Sequence, residues 1–588
     1  MAEVSETMGL TVQQGQAGRH TEPVTRYRRL LQADPHQAEV YVNLGIALKA
    51  QGRTGEAVAC YKQAIQLKPE FVEAHYNLAN VLKDLGRHAE AIESYQKAVE
   101  LKPDFAQAHY NLGNTLRGCG RLDEAIENYR NAVRLKDGYA IAYVNLAMTL
   151  KDLGRTEEAV ENYTHAIRLK PDAPEAHNNL GIALKELGRL GEAIGSYTEA
   201  IRLSPDYAEA HSNLGIALHA QGRHDEALDA FERAIEIKPE YAQAHWNRSL
   251  VLLLKGRFEE GWREYRWRRE TNLATFAYPH KLDKPLWDGR PFPGKRLLVH
   301  YEQGLGDNLQ FVRYLPMVKR LGGTVIFETP RSMYGLLRSF DGIDELVETS
   351  PDAPPEVEFD FYTSLMDLPC IFGTTLDNIP AKVPYIHADC AKVEQWRDRL
   401  AGDGFKVGLV WGGRPTGPNE VLSLQHRSCD LEHFAVLADV PGVVLYGLQK
   451  GPPAAQVDQL PRRIIAGNLG DRFEDFTDTA AAIENLDMVI SIDTSVAHLA
   501  GAMGKPVWLL LKTDADWRWL LDRTDNPWYP TMRLFRQRKA GDWPEVLERV
   551  AAELNQLVGT GGSLTRNPGP ASPNRPNTHD LEPVTQPH

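Results

Sequence analysis

Two short segments of the 588-residue chain carry residue types suited to group transfer. In the first, Gly304, Gly306 and Asp307 lie between an apolar run and an amphipathic segment. Glycines at such a junction let a ligand approach the backbone closely. A carboxylate at a helix start can also be only an N-cap, and this segment alone favours that simpler interpretation.

The second segment follows an apolar run that ends at Ile492. There Asp493, Thr494 and Ser495 open a predicted helix, whose free N–H groups and dipole favour a phosphate. The two hydroxyls add hydrogen-bond donors. A capping motif would explain Asp493 or Ser495 singly. It explains less well the whole run followed by His498 and a small-residue helix face.

The elements that must position these segments alternate between strand and helix. From Lys295 onward, apolar runs such as RLLVH, TVIFET, KVGLV and DMVISI are separated by amphipathic stretches. This alternation predicts α/β layers with parallel sheets. We expect two Rossmann-like lobes, residues 295–390 and 391–557, with ligands at the carboxyl ends of the strands.

The preceding part of the chain has a 34-residue period from Tyr27 to Tyr265, with one aromatic residue, one Gly-Arg pair and two helical patterns per period. Such a period resembles the tetratricopeptide repeat and predicts an α-solenoid over residues 25–270. His75, His109, His177, His211 and His245 also recur. Helices pack roughly 8–10 Å apart, too far for repeated histidines to share a metal ion, so we predict a packing role.

An asparagine recurs in the middle of the first helix of each repeat. The series is Asn43, Asn77, Asn111, Asn145, Asn179, Asn213 and Asn247. Asparagine is a mediocre helix former, so its repetition needs a reason. One interpretation is an internal ladder that bonds neighbouring repeats. The other is a peptide-binding groove, as the similar asparagine spacing in the superhelix of eukaryotic O-GlcNAc transferase implies.

The composition and net charge of the chain argue against several classes of protein function. A net charge of −13 argues against a nucleic-acid partner. No apolar run is long enough for a membrane helix, and the first residues lack an apolar signal core. Five scattered cysteines favour reduced thiols and a cytoplasmic location. Residues 1–24 and 558–588 are predicted to be disordered, and residues 271–294 to form a linker.

The two junctions together carry a resemblance to a known enzyme family. GLGD before a helix, followed later by D-T-x-x-x-H, resembles GT-B glycosyltransferases of the ADP-heptose heptosyltransferase type. The run QGLGDNLQFVRY with DWRWLLDRTDNPWYP resembles bacterial proteins that join tetratricopeptide repeats to such a transferase. Flagellin-modifying enzymes of alphaproteobacteria share this design. The resemblance implies a GT-B fold in the second half.

The resemblance also implies roles for individual residues. Asp307 would be the general base, in an acceptor loop with Gly304 and Gly306. Residues implied on the donor side, around the nucleotide diphosphate and the cleft, are Trp411, Gly412, Arg427, Gln449, Asp493, Thr494, Ser495 and His498. No metal and no cofactor beyond a nucleotide-sugar co-substrate is implied, although Asp514 and Asp516 form the D-x-D pattern of a different glycosyltransferase fold.

These observations predict an inverting protein O-glycosyltransferase whose sugar is a hexose, heptose or nonulosonate. The repeats would recruit a polypeptide, with flagellin as a candidate, and the second half would glycosylate its Ser or Thr hydroxyl. One alternative is a heptosyltransferase-like enzyme acting on a saccharide or lipid. Another is a non-catalytic repeat scaffold.

Overall fold

A computed structural model describes residues 21–271, 280–350, 352–400, 402–413 and 428–560. Its contacts divide the chain into two compact units, the first ending at Lys238 and the second beginning at Pro239. The predicted disorder of residues 1–20 and 561–588 lies outside the described residues.

The first unit is an α-solenoid of helical hairpins. Its helices α1 to α13 are Thr21–Ala33, Ala38–Ala50, Thr54–Leu67, Val72–Asp84, His88–Leu101, Ala106–Gly118, Leu122–Leu135, Ala140–Asp152, Thr156–Leu169, Pro174–Glu186, Leu190–Leu203, Ala208–Ala220 and His224–Ile237. Helix α1 starts within the predicted disordered N-terminus, because its Val24 and Tyr27 are buried in the solenoid core. The series of paired helices confirms the predicted α-solenoid of tetratricopeptide-like helices.

The repeated aromatic residue fills a slot between the two helices of each hairpin. Tyr61, Tyr129 and Tyr197 are at most 1% exposed. A Cβ atom added at Gly45 would lie 2.6 Å from the ring of Tyr61, and one at Gly181 would lie 2.5 Å from that of Tyr197. The small residue two positions after the recurring asparagine is therefore required by the aromatic ring that packs on it.

The recurring histidines hold the turns between hairpins. In each case Nε2 lies within hydrogen-bond distance of the carbonyl oxygen of the proline six residues earlier. The distances are 2.9 Å for His75 and Pro69, 3.1 Å for His109 and Pro103, 2.9 Å for His177 and Pro171, 3.0 Å for His211 and Pro205, and 2.9 Å for His245 and Pro239. Their role is structural, as predicted.

The second unit opens with two further repeat helices, α14 (Ala242–Leu254) and α15 (Phe258–Tyr265), and a 3₁₀ helix (Arg266–Glu270). Its strands β1 to β10 are Arg296–His300, Thr324–Thr329, Glu345–Glu348, Phe361–Ser364, Phe405–Val410, Val443–Gly447, Gly467–Asn468, Met488–Ile492, Val507–Leu511 and Met532–Arg536. Its helices α16 to α25 are Leu305–Phe311, Leu315–Lys319, Arg331–Leu337, Leu368–Ile371, Cys390–Arg397, Ala435–Ala438, Gln456–Gln459, Phe476–Glu484, Ser495–Ala502 and Trp543–Gly559.

The strands form two parallel sheets. The first has the order β3-β2-β1-β4 and the second β10-β9-β8-β5-β6-β7, with every strand pair parallel. In both sheets the strand order reverses beside the strand that leads to a predicted junction, which is the usual ligand position in such sheets. The predicted parallel sheets are confirmed.

The last repeat belongs to the core of the second unit. Leu253, Leu254, Phe258, Trp262 and Tyr265 are at most 4% exposed and join one apolar cluster with the strands of the first sheet. The indole N–H of Trp262 donates to the carbonyl oxygen of Thr374 at 3.1 Å. The division after Lys238 therefore differs from the solenoid end predicted at residue 270, because this repeat is richer in large apolar residues than the periodicity alone indicates.

Candidate functional site

The two glycine- and hydroxyl-rich junctions lie against each other. Helix α16 begins just after β1 and packs on α24, which begins just after β8. The two helices approach closely at Gly306, where an added Cβ atom would lie 2.8 Å from Cδ2 of His498. Only glycine fits under this imidazole. The close packing at Gly306 brings the next residue, Asp307, beside the second junction.

Asp307 is held from two sides. One carboxylate oxygen accepts the backbone N–H of Gly304 at 2.9 Å, and the other pairs with the guanidinium of Arg518. The side chain is 16% exposed. Burial raises the pKa of Asp307 above its ordinary value, while Arg518 and the Gly304 N–H oppose the rise. A raised pKa suits a carboxylate that must take up a proton.

Arg518 was missed by sequence reasoning. It lies in a 3₁₀ turn, Trp517–Trp519, and is 7% exposed. Its guanidinium donates to Asp516 at 2.8 Å and stacks on the ring of Trp517 at 4.3 Å. The only signal in the sequence was its place in the run DWRWLLDRTDNPWYP, because 211 residues separate it from Asp307.

The carboxylates of Asp516 and Asp514 bind different side chains, and that of Asp516 hydrogen-bonds within the 3₁₀ turn Trp517–Trp519. Its carboxylate accepts the backbone N–H of Arg518 at 3.0 Å as well as the guanidinium. Asp514 instead pairs with Lys512 at 3.0 Å. Among the residues that the structure describes, no group of three His, Cys, Asp or Glu side chains is arranged to hold a metal ion.

The imidazole ring of His498 packs against the glycine loop, residues 304–307. Its Nδ1 lies 3.0 Å from the hydroxyl of Tyr529, and its Nε2 lies 4.0 Å from a carboxylate oxygen of Asp493. Burial lowers the pKa of His498 to about 3, so the imidazole is neutral at physiological pH. It therefore contributes shape and hydrogen bonding rather than charge.

The start of α24 is half-buried and polar. Thr494 is the N-cap in extended conformation, and its hydroxyl lies 3.0 Å from that of Ser491. Asp493, Thr494 and Ser495 are all partly exposed. The first N–H groups of the helix, together with its dipole, form the kind of terminus that attracts an anion.

Gln449 and Trp411 form structural hydrogen bonds that the sequence did not indicate. The Gln449 amide oxygen accepts the N–H groups of Trp411 at 3.1 Å and Gly412 at 2.8 Å, and its Nε2 donates to the carbonyl oxygens of Gly412 and Lys450 at 3.0 Å each. Gln449 is 3% exposed and Trp411 fully buried. These hydrogen bonds link the ends of β5 and β6. Contacts of Gln449, Trp411 and Gly412 with a nucleotide-sugar remain a prediction. Arg427 lies outside the described residues.

Arg313 is another buried arginine in this unit. It donates to the Tyr385 hydroxyl at 2.7 Å and to the carbonyl oxygen of Trp528 at 2.7 Å. Its guanidinium also lies 4.7 Å from the ring centre of Tyr529. Arg313 thus links the segment after α16 to the aromatic residues beside His498.

One group of the repeat asparagines is bonded between repeats and a second group is not, and Asn247 belongs to neither. Asn111 donates to the Tyr76 hydroxyl at 2.9 Å and to Asn80 at 3.1 Å, and Asn145 donates to the Tyr110 hydroxyl at 3.1 Å and to Asn114 at 2.8 Å. Asn213 likewise donates to Asn178 at 2.9 Å. These three form the internal ladder of the first interpretation.

The other asparagines differ. Within the described repeats, no intramolecular hydrogen bond holds the side chains of Asn43, Asn77 and Asn179, which are partly exposed. Asn247, in the second unit, accepts from Gln243 at 3.1 Å. The groove interpretation therefore applies best to Asn43, Asn77 and Asn179.

Among the described residues, none of the helices is long and apolar enough to cross a membrane.

Known proteins are similar to this chain over part of its length. Residues 9–247 match the model of the cilia and flagella-associated protein 70 C-terminal domain. The protein FlbA of Caulobacter vibrioides is 28% identical over 320 residues, which are 51% of this chain and 52% of FlbA. The chain thus spans about half the length of this curated relative.

Two of the solved structures that are similar to this chain each cover about a third of it or less. The crystal structure of YrrB, a TPR protein with an unusual peptide-binding site, is 26% identical and covers 31% of this chain and 95% of its own, with a TM-score of 0.29. The crystal structure of MamA is 26% identical and covers 28% of this chain and 97% of its own, with a TM-score of 0.27. Of these similarities, the family match has defined bounds, residues 9–247, and these contain helices α1 to α13 of the repeats.

Proposed function

We propose that this chain is an inverting protein O-glycosyltransferase. One observation carries the proposal: Asp307 lies between the carboxyl ends of two parallel sheets, in a glycine loop pressed against the helix that Thr494 caps. A base beside an anion-binding helix terminus is the pair of functions that displacement of a nucleoside diphosphate requires.

In the proposed reaction, the Asp307 carboxylate takes the proton of a Ser or Thr hydroxyl. The hydroxyl oxygen bonds to the anomeric carbon of the nucleotide-sugar as the bond from that carbon to the diphosphate breaks. The diphosphate leaves toward Thr494 and Ser495, where the helix N-terminus stabilises its charge. His498 fixes the loop position, because its ring packs directly under Gly306.

The repeats supply the acceptor in this proposal. Tetratricopeptide arrays typically bind peptides or proteins on extended surfaces. The partly exposed amides of Asn43, Asn77 and Asn179 can pair with the backbone of an extended polypeptide. The acceptor is proposed to be a protein, with flagellin as the candidate that the sequence resemblance implies.

Binding and mass measurements on the full chain test the proposal. Calorimetry with UDP, ADP, GDP and CMP should reveal binding of at least one nucleotide. The protein captured by the repeats should gain the mass of one or more sugars when the enzyme and the matching nucleotide-sugar are supplied. Absence of binding to all four nucleotides would favour a non-catalytic scaffold, and transfer only to saccharides or lipids would favour a heptosyltransferase-like enzyme.

The Arg518→Gln variant should move the acid limb of the pH–rate profile upward. The base works only when deprotonated, so kcat/KM falls as the pH drops through the pKa of Asp307. Burial already raises that pKa above the ordinary value of about 4, and removing the opposing guanidinium raises it further. The measurement is the pH dependence of kcat/KM. Arg523→Gln, which breaks the nearby Arg523–Asp525 pair, should leave the limb in place, and an unmoved limb in both variants would contradict the assignment.

Two double variants separate the two asparagine groups. Asn77→Ala with Asn179→Ala should weaken capture of the acceptor and leave thermal stability unchanged, because neither side chain has a hydrogen-bond partner among the described residues. Asn111→Ala with Asn145→Ala should lower the free energy of unfolding by about 1 kcal/mol per lost hydrogen-bonded side chain. Denaturant titration and acceptor pull-down measure the two effects. Equal loss of capture in both variants, without loss of stability, would contradict the division.

A further inference from the structure

The residue just before the glycine loop is in an unusual conformation. Gln303 has a φ of +64°, in the left-handed region that side chains other than glycine rarely adopt. It directly precedes Gly304, whose N–H holds the Asp307 carboxylate. A backbone of this kind persists only where surrounding contacts over-determine it, so the contacts that hold Gln303 also determine where Asp307 lies.

Tyr265 of the last repeat supplies the first of these contacts. Its hydroxyl accepts the Gln303 Nε2 amide at 3.0 Å. In two earlier repeats the equivalent tyrosine bonds within its own hairpin, as Tyr95 does to Asn80 at 2.6 Å and Tyr129 to Asn114 at 2.7 Å. The position fifteen residues before Tyr265 is Leu250, which has no hydrogen-bonding group. Leucine at this position leaves the Tyr265 hydroxyl available to the side chain of Gln303.

Arg268 supplies the second contact, one residue earlier in the loop. Its Nε and Nη2 each donate to the Glu302 carboxylate at 2.6 Å, and the Ser364 hydroxyl donates to the same carboxylate. Glu302 is 2% exposed and Arg268 is 3% exposed. A bidentate arginine–carboxylate ion pair of this kind fixes the orientation of the two side chains as well as the distance between them. Two consecutive loop residues, Glu302 and Gln303, are therefore held by side chains only three positions apart.

We infer that Tyr265 and Arg268 are positioning residues for Asp307, and that the last repeat is a working part of the transferase site. The inference rests on the proposed function. Tyr265 keeps Gln303 in its left-handed conformation and Arg268 anchors Glu302, so that Gly304 can present its N–H to the carboxylate of Asp307. Neither residue touches a reacting atom; both act through the loop.

The test is a cycle of variants in the full chain. Tyr265→Phe keeps the buried ring and removes only the hydroxyl, and it should lower kcat for donor hydrolysis and transfer by about 10- to 100-fold, as expected for a misplaced catalytic group. The KM for the nucleotide-sugar should change little. Adding Gln303→Gly should restore most of the lost kcat, because glycine adopts the left-handed conformation without an anchor.

Tyr314→Phe is the matched control. Tyr314 is buried in the same apolar cluster and its hydroxyl bonds to that of Thr374 at 2.7 Å, away from the loop. It should keep the wild-type kcat with a similar thermal midpoint. Equal loss of kcat in Tyr314→Phe, or failure of Gln303→Gly to restore Tyr265→Phe, would overturn the positioning role.

Hydrogen–deuterium exchange separates this inference from the proposed function. If the wild-type chain hydrolyses and transfers no nucleotide-sugar, the proposed function fails. Exchange of the backbone amides of residues 302–308 still decides the positioning role. Faster exchange in Tyr265→Phe than in Tyr314→Phe supports it, and equal exchange in the two variants overturns it.

Discussion

Replacing Asp307 by asparagine should lower transfer to the protein acceptor by about 10²- to 10⁴-fold, the range attributable to a general base. Asparagine has nearly the same shape, and its side-chain oxygen can still accept the Gly304 N–H that the carboxylate now accepts. It cannot take up the acceptor proton. Steady-state transfer measured with a saturating donor gives the effect on kcat, and calorimetry with the nucleotide should give a Kd close to that of the wild type.

Asp514→Asn is the control for this change. Asp514 is an exposed residue in the segment that carries Arg518, and its carboxylate pairs only with Lys512 among the side chains described around it. Its replacement should leave transfer and donor affinity unaltered, including in the presence of a chelator. Wild-type transfer by Asp307→Asn would show that another group accepts the proton.

A chain that starts at Pro239 should fold cooperatively, whereas a chain that starts at residue 271 should not. The second deletion removes five nearly buried apolar side chains from the core of the second unit, Leu253, Leu254, Phe258, Trp262 and Tyr265. Truncating one buried Phe or Trp costs about 3–5 kcal/mol. The summed loss is as large as, or larger than, the total stability of about 5–15 kcal/mol that a typical domain has.

The lost arginine adds to this penalty. Without Arg268, the buried Glu302 has no guanidinium partner, and breaking a buried ion pair from one side costs about 3–5 kcal/mol. Calorimetric melting of the two truncated chains checks the prediction. A cooperative transition at the same temperature in both would mean that residues 239–270 are dispensable for the fold. Retained nucleotide binding by the chain from Pro239, with lost capture of the acceptor protein, would further support the assignment of acceptor binding to the first unit.

The period and the junctions were readable from sequence because each depends on local spacing. A repeated tyrosine every 34 residues predicts the hairpin slot, and a polar run directly after a β-branched strand predicts the carboxyl edge of a parallel sheet. The apolar run DMVISI before Asp493 is β8 in the structure. These features are properties of a few neighbouring residues, so no knowledge of the tertiary fold is needed to find them.

The partners of the site residues were not predictable in this way. Arg518 meets Asp307 because segments that follow strands of two separate sheets contact each other. The Gln449 amide oxygen accepts the backbone N–H groups of Trp411 and Gly412. Both contacts join positions far apart in the chain. A strand pattern places a side chain at an edge, but the groups facing it are set by the packing of other elements.

The hydrogen bonds between the asparagines of α4, α6 and α8 and the tyrosines of α5 and α7 also have a mechanical consequence. Asn80 accepts from both Tyr95 and Asn111, and Asn114 accepts from both Tyr129 and Asn145. Elsewhere the position equivalent to Asn80 is apolar, as at Ile46 and Ile182, and the buried hydroxyl of Tyr197 has no such partner. Hydrogen bonds of this kind are therefore densest over residues 76–145 and sparser beyond them, where Asn213 bonds to Asn178. We expect residues 76–145 to bend least when the solenoid is deformed.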